Sequence, residues 1–189
     1  AHLAAPEYLV GLDQTQVFTN ALGSFSLSGG DQQAEALCYL GLAAHKKPVL
    51  TRVRAMLESG AVTERSRMYL AAALAALGDT DGAAACYRDY IRPRLGETTT
   101  ADGEEALYID MDGDINASLK ETAIASLSAS MTRSPDADKI MQYLLHNRST
   151  EDLFLLEELV YLRWMQPQGK EKASVSYRRD GKTRTLDLG

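Results

Sequence analysis

Cysteines and large aromatic residues are scarce in this sequence, and each shortage excludes a class of protein. The 189 residues include two Cys, one Trp and three Phe. Two cysteines are too few for the disulfide framework that holds many small secreted domains together. So few large rings also argue against an active site that stabilises a carbocation on aromatic faces.

Basic charge and long apolar runs are lacking as well. The 20 basic residues against 26 acidic ones give a net charge of −6, which disfavours nucleic acid and anionic membranes as partners. No apolar run reaches the roughly 20 residues of a membrane span. The opening AHLAAPEYLV lacks the basic start and apolar centre of a signal peptide. Because the chain starts with Ala1 rather than Met, we expect it to be part of something longer.

Two kinds of helical pattern alternate between residues 30 and 165. One kind is apolar nearly all round, which predicts inner helices buried on most sides at 34–44, 68–77, 122–131 and 153–165. The other kind is apolar along one stripe, which predicts outer helices that meet water on the opposite face. These stripes are Val49, Leu50, Val53, Met56 and Leu57; Ala83, Cys86, Tyr87 and Tyr90; and Ala137, Ile140, Met141, Leu144 and Leu145. The stretch after Pro6 supplies an earlier outer helix.

Helix ends are marked by local chemistry. Thr63 is placed to begin one helix and Gly78 to end it, and STED at 149–152 is typical of another helix start. Ser118 and Glu121 have the spacing of a capping box, in which each side chain binds a backbone amide of the other residue. We therefore predict a helix that begins at Ser118.

About four antiparallel helix pairs, each with its first member inside, predict an all-α fold of the α/α-toroid type (terpenoid cyclase/prenyltransferase architecture) or a helical-repeat solenoid. The inner segments at 34 and 68 have the spacing of tetratricopeptide repeats, but the third follows only after the polar insertion 92–116 with its β-prone ALYI. After residue 169 the pattern changes to period two around Asp180-Gly181, which predicts a β-hairpin. We thus divide the chain into a partial helical domain, 1–168, and a hairpin that starts a β-domain, 169–189.

Four helical stretches resemble the C-terminal part of the thioester-domain toroid of bacterial α-macroglobulin-like and complement-like proteins. GSFSLSGGDQQAEALCYLGLAA is similar to that family's aromatic-glycine turn and inner helix. SRMYLAAALAALGDTDGAAACY, SLKETAIASLSASM and STEDLFLLEELVYLRWM are similar to its later helices. The change to β-structure at KASVSY also matches, because the family's toroid is inserted in a β-domain.

The resemblance implies a secreted or cell-surface protein that traps peptidases or binds other proteins. The family's reactive element is a cysteine followed closely by Glu-Gln, and neither Cys38 nor Cys86 has that partner. No functional residue is therefore carried over, and we predict a non-catalytic structural and interaction segment without a cofactor.

The run Asp110, Asp112 and Asp114 is the sharpest candidate for chemistry. Counted from Asp110, a calcium loop would also use Glu121 at position 12, but its sixth position is Ile115 rather than the required glycine. We therefore predict a solvated loop between helices and no metal site. A toroid enzyme that uses these three aspartates as acids is the alternative from another class, and a tetratricopeptide-like peptide-binding scaffold is the other alternative.

The remaining reactive side chains are interpreted as structural. Cys38 and Cys86 lie in apolar helices, which favours buried, unpaired thiols over a bridge. His2, His45 and His146 have no ligand partner at metal-site spacing. GSFSLSGG, residues 23–30, reads as a turn between helices rather than a nucleophile elbow.

Incomplete closure is the last expectation. A toroid of this type needs about six helix pairs, as the resemblance implies, and the sequence supplies about four. We therefore expect an exposed apolar edge on the first inner helix near Leu37 and Leu40, or on the last near Phe154 and Trp164, through which the chain associates with itself or with its parent protein.

Overall fold

The chain folds mainly into α-helices. The structure, a computed structural model, describes residues 12–27, 31–60, 62–148, 154–165, 174–179 and 182–187. Within these ranges the helices are α1 (Leu12–Leu27), α2 (Gln32–Ala44), α3 (Leu50–Glu58), α4 (Glu64–Leu77), α5 (Thr80–Cys86), α6 (Ile115–Met131), α7 (Ala137–Asn147) and α8 (Leu155–Met165). The prediction of a mostly helical chain is confirmed. None of the helices in these ranges has the length and apolar character needed to cross a membrane.

The predicted inner helices pack on one another in chain order. Helix α2 packs on α4, α4 on α6, and α6 on α8. Alanines from Ala71 to Ala76, interrupted only by Leu74, make α4 thin, so that its neighbours can approach closely. Each inner helix places an aliphatic side chain in the largest core cluster: Leu40, Leu70, Leu127 and Val160.

The outer helices cover this row with one face each. Val53 of α3 and Ala83 of α5 are fully buried in the cluster around α4, and Ile140 of α7 is buried in a second cluster with Ala125 and Ala129 of α6. Because these helices are apolar along one stripe, a single packed face is what the sequence predicts. The inner and outer roles of α2 to α7 therefore follow the predicted alternation.

Helix α1 extends further than the sequence suggested. It packs on α2, where a Cβ at Gly41 would lie 2.8 Å from Cδ1 of Leu22, so the glycine lets the two helices touch. The predicted turn at 23–30 is wrong at its start, since residues 23–27 are helical and 28–30 lie outside the described residues. Packing of α1 on α2 outweighs the roughly 1 kcal/mol that a helical glycine such as Gly23 costs.

A π-helical turn changes the register of the fifth helix. The sequence stripe through Cys86 and Tyr87 predicts that Tyr90 is buried, yet Tyr90 is 50% exposed and Ile91 is buried instead. Residues Tyr87–Ile91 form a π-helix, which needs one more residue per turn than an α-helix. The buried position therefore moves from Tyr90 to Ile91.

Helix α8 is less buried than its composition predicts. Val160 is the buried residue of α8, whereas Leu155, Leu159 and Leu162 are 62%, 42% and 52% exposed. An apolar sequence shows that a helix could be covered all round, but the neighbouring elements decide whether it is. The prediction that α8 is buried on most sides is therefore wrong.

The polar insertion between α5 and α6 forms a β-hairpin. After the π-helix and a 3-10 turn (Arg92–Arg94), strand β1 (Gly96–Thr99) pairs antiparallel with β2 (Glu105–Tyr108), with Thr98 opposite Ala106. Strand β2 contacts α7 and α6. The β-prone ALYI of the sequence thus marks the second strand of this hairpin.

A second hairpin lies where period-two alternation predicts it. Strands β3 (Ser174–Arg179) and β4 (Lys182–Asp187) pair antiparallel, with Arg179 opposite Lys182. The two residues of the predicted turn, Asp180 and Gly181, lie outside the described residues, as does the helix start at 149–152. The proposed division of the chain at residue 168 stays a prediction.

Candidate functional site

The acidic run forms the start of α6. Asp114 is the N-cap, and its Oδ1 accepts hydrogen bonds from the amides of Asn116 at 2.9 Å and Ala117 at 3.1 Å. The Asp110 carboxylate accepts a bond from the Gly113 amide at 3.0 Å. Asp112 has a φ of 55° and Gly113 one of 79°, so the chain reverses through two left-handed residues just before the helix. These aspartates are exposed; Asp110 binds a backbone donor of its own loop, and Asp114 binds donors in the first turn of α6.

The predicted capping box at Ser118 is not formed. Ser118 is the fourth residue of α6, and its Oγ accepts a hydrogen bond from the amide of Met111 at 2.9 Å. One turn later, Thr122 Oγ1 accepts a bond from the amide of Ile109 at 2.9 Å. The two hydroxyls thus fasten the segment after β2 to the side of α6. The cap of α6 is instead Asp114, four residues before Ser118, whose carboxylate accepts bonds from amides of the first turn.

Glu121 has neither the predicted capping role nor the calcium-binding role considered for it. Its side chain is 4% exposed, and its Oε2 accepts two hydrogen bonds from Arg65, at 2.8 and 2.6 Å. Its other oxygen lies 3.5 Å from Arg94, which also pairs with Glu64 at 2.8 Å. This network joins α4, the 3-10 turn and α6. It occupies the carboxylate that a calcium loop starting at Asp110 would require at its last position.

Metal-binding residues do not converge in the described ranges. Within them, His, Cys, Asp and Glu side chains form no group of three or more that could hold a metal ion. The four calcium candidates are therefore divided between an exposed loop (Asp110, Asp112 and Asp114) and a buried arginine network (Glu121).

The cysteines are buried and unpaired, as predicted. Burial raises the pKa of both thiols, and that of Cys86 rises to about 11. A thiol with so high a pKa is protonated at neutral pH and is a poor nucleophile. Cys38 and Cys86 therefore act as small apolar residues of the core.

The two described histidines, His45 and His146, have pKa values shifted in opposite directions. Burial, together with the charge of Lys47, lowers the pKa of His45 at the end of α2. His146 in the last turn of α7 lies 2.7 Å from the carboxylate of Asp102, a contact that raises its pKa. His2 lies outside the described residues. Sequence spacing could not find the pairing of His146, because Asp102 is 44 residues away.

A polar cavity lies beside the first hairpin. Its volume is about 350 Å³. Both strands of the hairpin and α7 line it, and the charged groups among its lining residues are Glu97, Glu105 and Lys139. Lys139 is bound to Glu105 at 2.5 Å. The cavity is thus lined by side chains of both charges.

The exposed leucines of α8 form the most distinctive surface. Leu155, Leu159 and Leu162 are spaced i, i+4 and i+7, so they lie along one face of the helix. Leu156, Val160 and Trp164 belong to or pack against the main core cluster, on the other side of α8. We call the three exposed residues the leucine row. The expected apolar edge at the last inner helix is present, but it consists of these leucines, because Phe154 and Trp164 are partly buried against the core.

The first inner helix has no comparable surface. Leu37 is 50% exposed, as expected, but Leu40 is 1% exposed. Helix α1 packs on α2 and covers part of it. An isolated exposed leucine is common on folded proteins and needs no special explanation.

Comparisons of the chain with protein-family models, with curated proteins and with solved structures gave no match. What the protein does must therefore be inferred from its own residues and their geometry.

Proposed function

We propose that this chain is a non-catalytic structural and protein-interaction segment of a larger secreted or surface protein of the α-macroglobulin-like kind, and that its helices form an arc of the α/α-toroid type. The observation that carries the proposal is the leucine row on α8. The peptidase-trapping role is part of the same proposal and rests on the resemblance of the four helical stretches.

The leucine row supports an arc because of where it lies. Each inner helix from α2 to α6 has an inner helix as its next neighbour in the series, and α8 is the last inner helix among the described residues. Val160 and Trp164 face the packed side of α8, and the leucine row lies about half a turn of the helix away from them. One more helix packed on the row would continue the series. An apolar partner helix is therefore the occupant that we propose.

The acidic loop does not favour the enzyme alternative. Asp110 and Asp114 are exposed; Asp110 accepts a hydrogen bond from the Gly113 amide of its own loop, and Asp114 accepts two from amides in the first turn of α6. A catalytic acid needs a carboxyl group directed at a bound substrate. The geometry of this loop is that of a helix start.

The leucine row can be tested by substitution. We expect the purified chain to self-associate or to bind a dye that reports apolar surface, and a variant with Leu155, Leu159 and Leu162 all replaced by Gln to lose this behaviour with its helical content kept. Leu145→Gln on α7, which removes one isolated leucine of 41% exposure, is the matched control. Sedimentation measures self-association, dye fluorescence measures exposed apolar surface, and circular dichroism measures helical content. A parent chain that stays monomeric at high concentration and binds no dye would contradict the proposal.

The family assignment needs a separate test. The coding sequence upstream of Ala1 should contain a Cys-Gly-Glu-Gln-like motif or its inactivated counterpart in further helical pairs. Repeated 34-residue helical pairs there would support the tetratricopeptide-like scaffold instead.

A further inference from the structure

One face of α7 holds the first hairpin through three side chains. Lys139, Tyr143 and His146 are spaced i, i+4 and i+7 and therefore share a face of the helix. Each one meets a residue of the hairpin: Lys139 binds Glu105 at 2.5 Å, Tyr143 stacks on Tyr108 with ring centres 4.8 Å apart, and His146 binds Asp102 at 2.7 Å. Asp102 lies in the tip of the hairpin, between β1 and β2. The tip is thus tied to α7 by a histidine.

Both ring nitrogens of His146 face oxygen atoms. Nδ1 lies 3.0 Å from the carbonyl oxygen of Gln142, and Nε2 lies 2.7 Å from Oδ2 of Asp102. A carbonyl oxygen and a carboxylate oxygen only accept hydrogen bonds, and a neutral imidazole has a single N–H to donate. Both bonds can therefore form together only when the ring carries two protons. The doubly protonated ring, an imidazolium, satisfies both contacts.

The surroundings favour the same charged form. Asp102 and Glu104 are the charged groups of the hairpin that act on His146, and both raise its pKa. The ring also lies in the last turn of α7, where the helix dipole favours a cation. The side chain of His146 is 27% exposed, so water can accept the proton that it releases.

We propose that His146 and Asp102 form a pH-dependent latch that holds the tip of the β1–β2 hairpin on α7 while the imidazole is protonated and releases the tip when the proton is lost. A neutral ring has one N–H and can form only one of the two bonds. With the proton on Nδ1 it turns a lone pair toward the carboxylate of Asp102, and with the proton on Nε2 it gives up the bond to Gln142. In both cases the attraction between opposite charges that holds Asp102 is lost. The pKa of His146 is raised above the ordinary value of about 6.5. The latch is therefore closed at mildly acidic pH and opens as the pH rises through the pKa of His146 in the folded chain.

Release is confined to the tip. Lys139 and Glu105 keep their charges over this pH range, because association raises the pKa of the lysine and lowers that of the carboxyl. Ala106 and Leu107 of β2 are buried and hold the base of the hairpin.

The test follows the side chain and the tip in the same pH titration. Proton NMR of the ring gives the midpoint of His146, and ¹H–¹⁵N spectra give the amide shifts and order parameters of Ala101, Asp102 and Gly103. We expect the tip amides to change with the midpoint of His146, and to become more mobile above it. His45, whose pKa is lowered, is the internal control and should titrate at a lower pH without affecting the tip.

Two variants make the result decisive. Asp102→Asn keeps a hydrogen-bonding oxygen but removes the charge, and it should shift the midpoint of His146 to lower pH. His146→Gln should abolish the pH dependence of the tip while the shifts of the α7–β2 contact at Tyr143 stay near those of the parent. An unshifted midpoint in Asp102→Asn, or tip amides that follow no histidine, would overturn the proposal.

Discussion

Two buried serines on α6 allow a sharp test of how polar groups contribute to this core. Ser128 and Ser130 are both 0% exposed. Ser128 Oγ donates a hydrogen bond of 2.6 Å to the carbonyl oxygen of Met68 on α4, whereas the Ser130 hydroxyl has no hydrogen-bond partner. We predict that Ser130→Ala stabilises the chain and that Ser128→Ala destabilises it.

The magnitudes follow from what each hydroxyl gains on folding. An unpaired buried polar group costs about 1–3 kcal/mol, so its removal at Ser130 should raise the free energy of unfolding by about 1 kcal/mol or more. Loss of the Ser128 bond should cost about 1 kcal/mol, since the Met68 carbonyl keeps its intrahelical bond. Alanine also favours the helix over serine by about 0.5 kcal/mol at both positions, and this gain cancels in the comparison.

The two variants should therefore differ by about 2 kcal/mol. Urea unfolding followed by circular dichroism measures the difference as a shift in midpoint at unchanged slope. Each variant serves as the control for the other, because residue type, helix and burial are the same. If Ser130→Ala loses as much stability as Ser128→Ala, the Ser130 hydroxyl has a partner and the reasoning is wrong.

Three further predictions concern the cap of α6, a partly buried glutamate and calcium binding by the acidic loop. Asp114→Ala should lower the free energy of unfolding by about 1 kcal/mol through loss of the α6 cap, and Asp114→Asn should keep most of it, as chemical denaturation would show. Burial raises the pKa of Glu157, so its charged form is disfavoured in the folded chain; Glu157→Gln should raise the melting temperature at pH 7, and the gain should vanish below about pH 4, where both folded and unfolded chains are protonated. Millimolar calcium should leave the melting temperature nearly unchanged, and a rise reversed by chelator would refute the helix-start interpretation of Asp110, Asp112 and Asp114.

The ends of α4 could be predicted from the sequence, because residues within one turn of each end determine where the helix begins and stops. Thr63 caps α4 by accepting a hydrogen bond from the Ser66 amide, and Gly78 ends the helix with a φ of 87°. Both follow from residues within one turn. Most of the stripes of α3 and α7 were also predictable, because a single packed face imposes its period on the sequence. Leu145 is the exception in α7, since it is 41% exposed.

Contacts between distant residues explain what the sequence did not show. Glu121 meets Arg65 from 56 residues away. Its neighbours in the sequence predict a capping box with Ser118, because they hold no sign of that arginine. The exposure of Leu159 depends on which elements surround α8, and the amino-acid composition of the helix does not show which elements these are. The pairing of His146 with Asp102 likewise arises from the docking of a hairpin on a helix.

The serial packing of the inner helices also determines how the fold opens. Helix α4 is held by α2, α3, α5 and α6, whereas α1 is held mainly by α2, and α8 by α6 and α7. In folds built this way, each unit contributes stability mainly to its neighbours, and local opening has its own free energy. Amide hydrogen exchange should therefore be graded along the chain, slowest in α4 and fastest in α1 and α8. A helix docked on the leucine row would then protect α8 first and the interior of the chain much less.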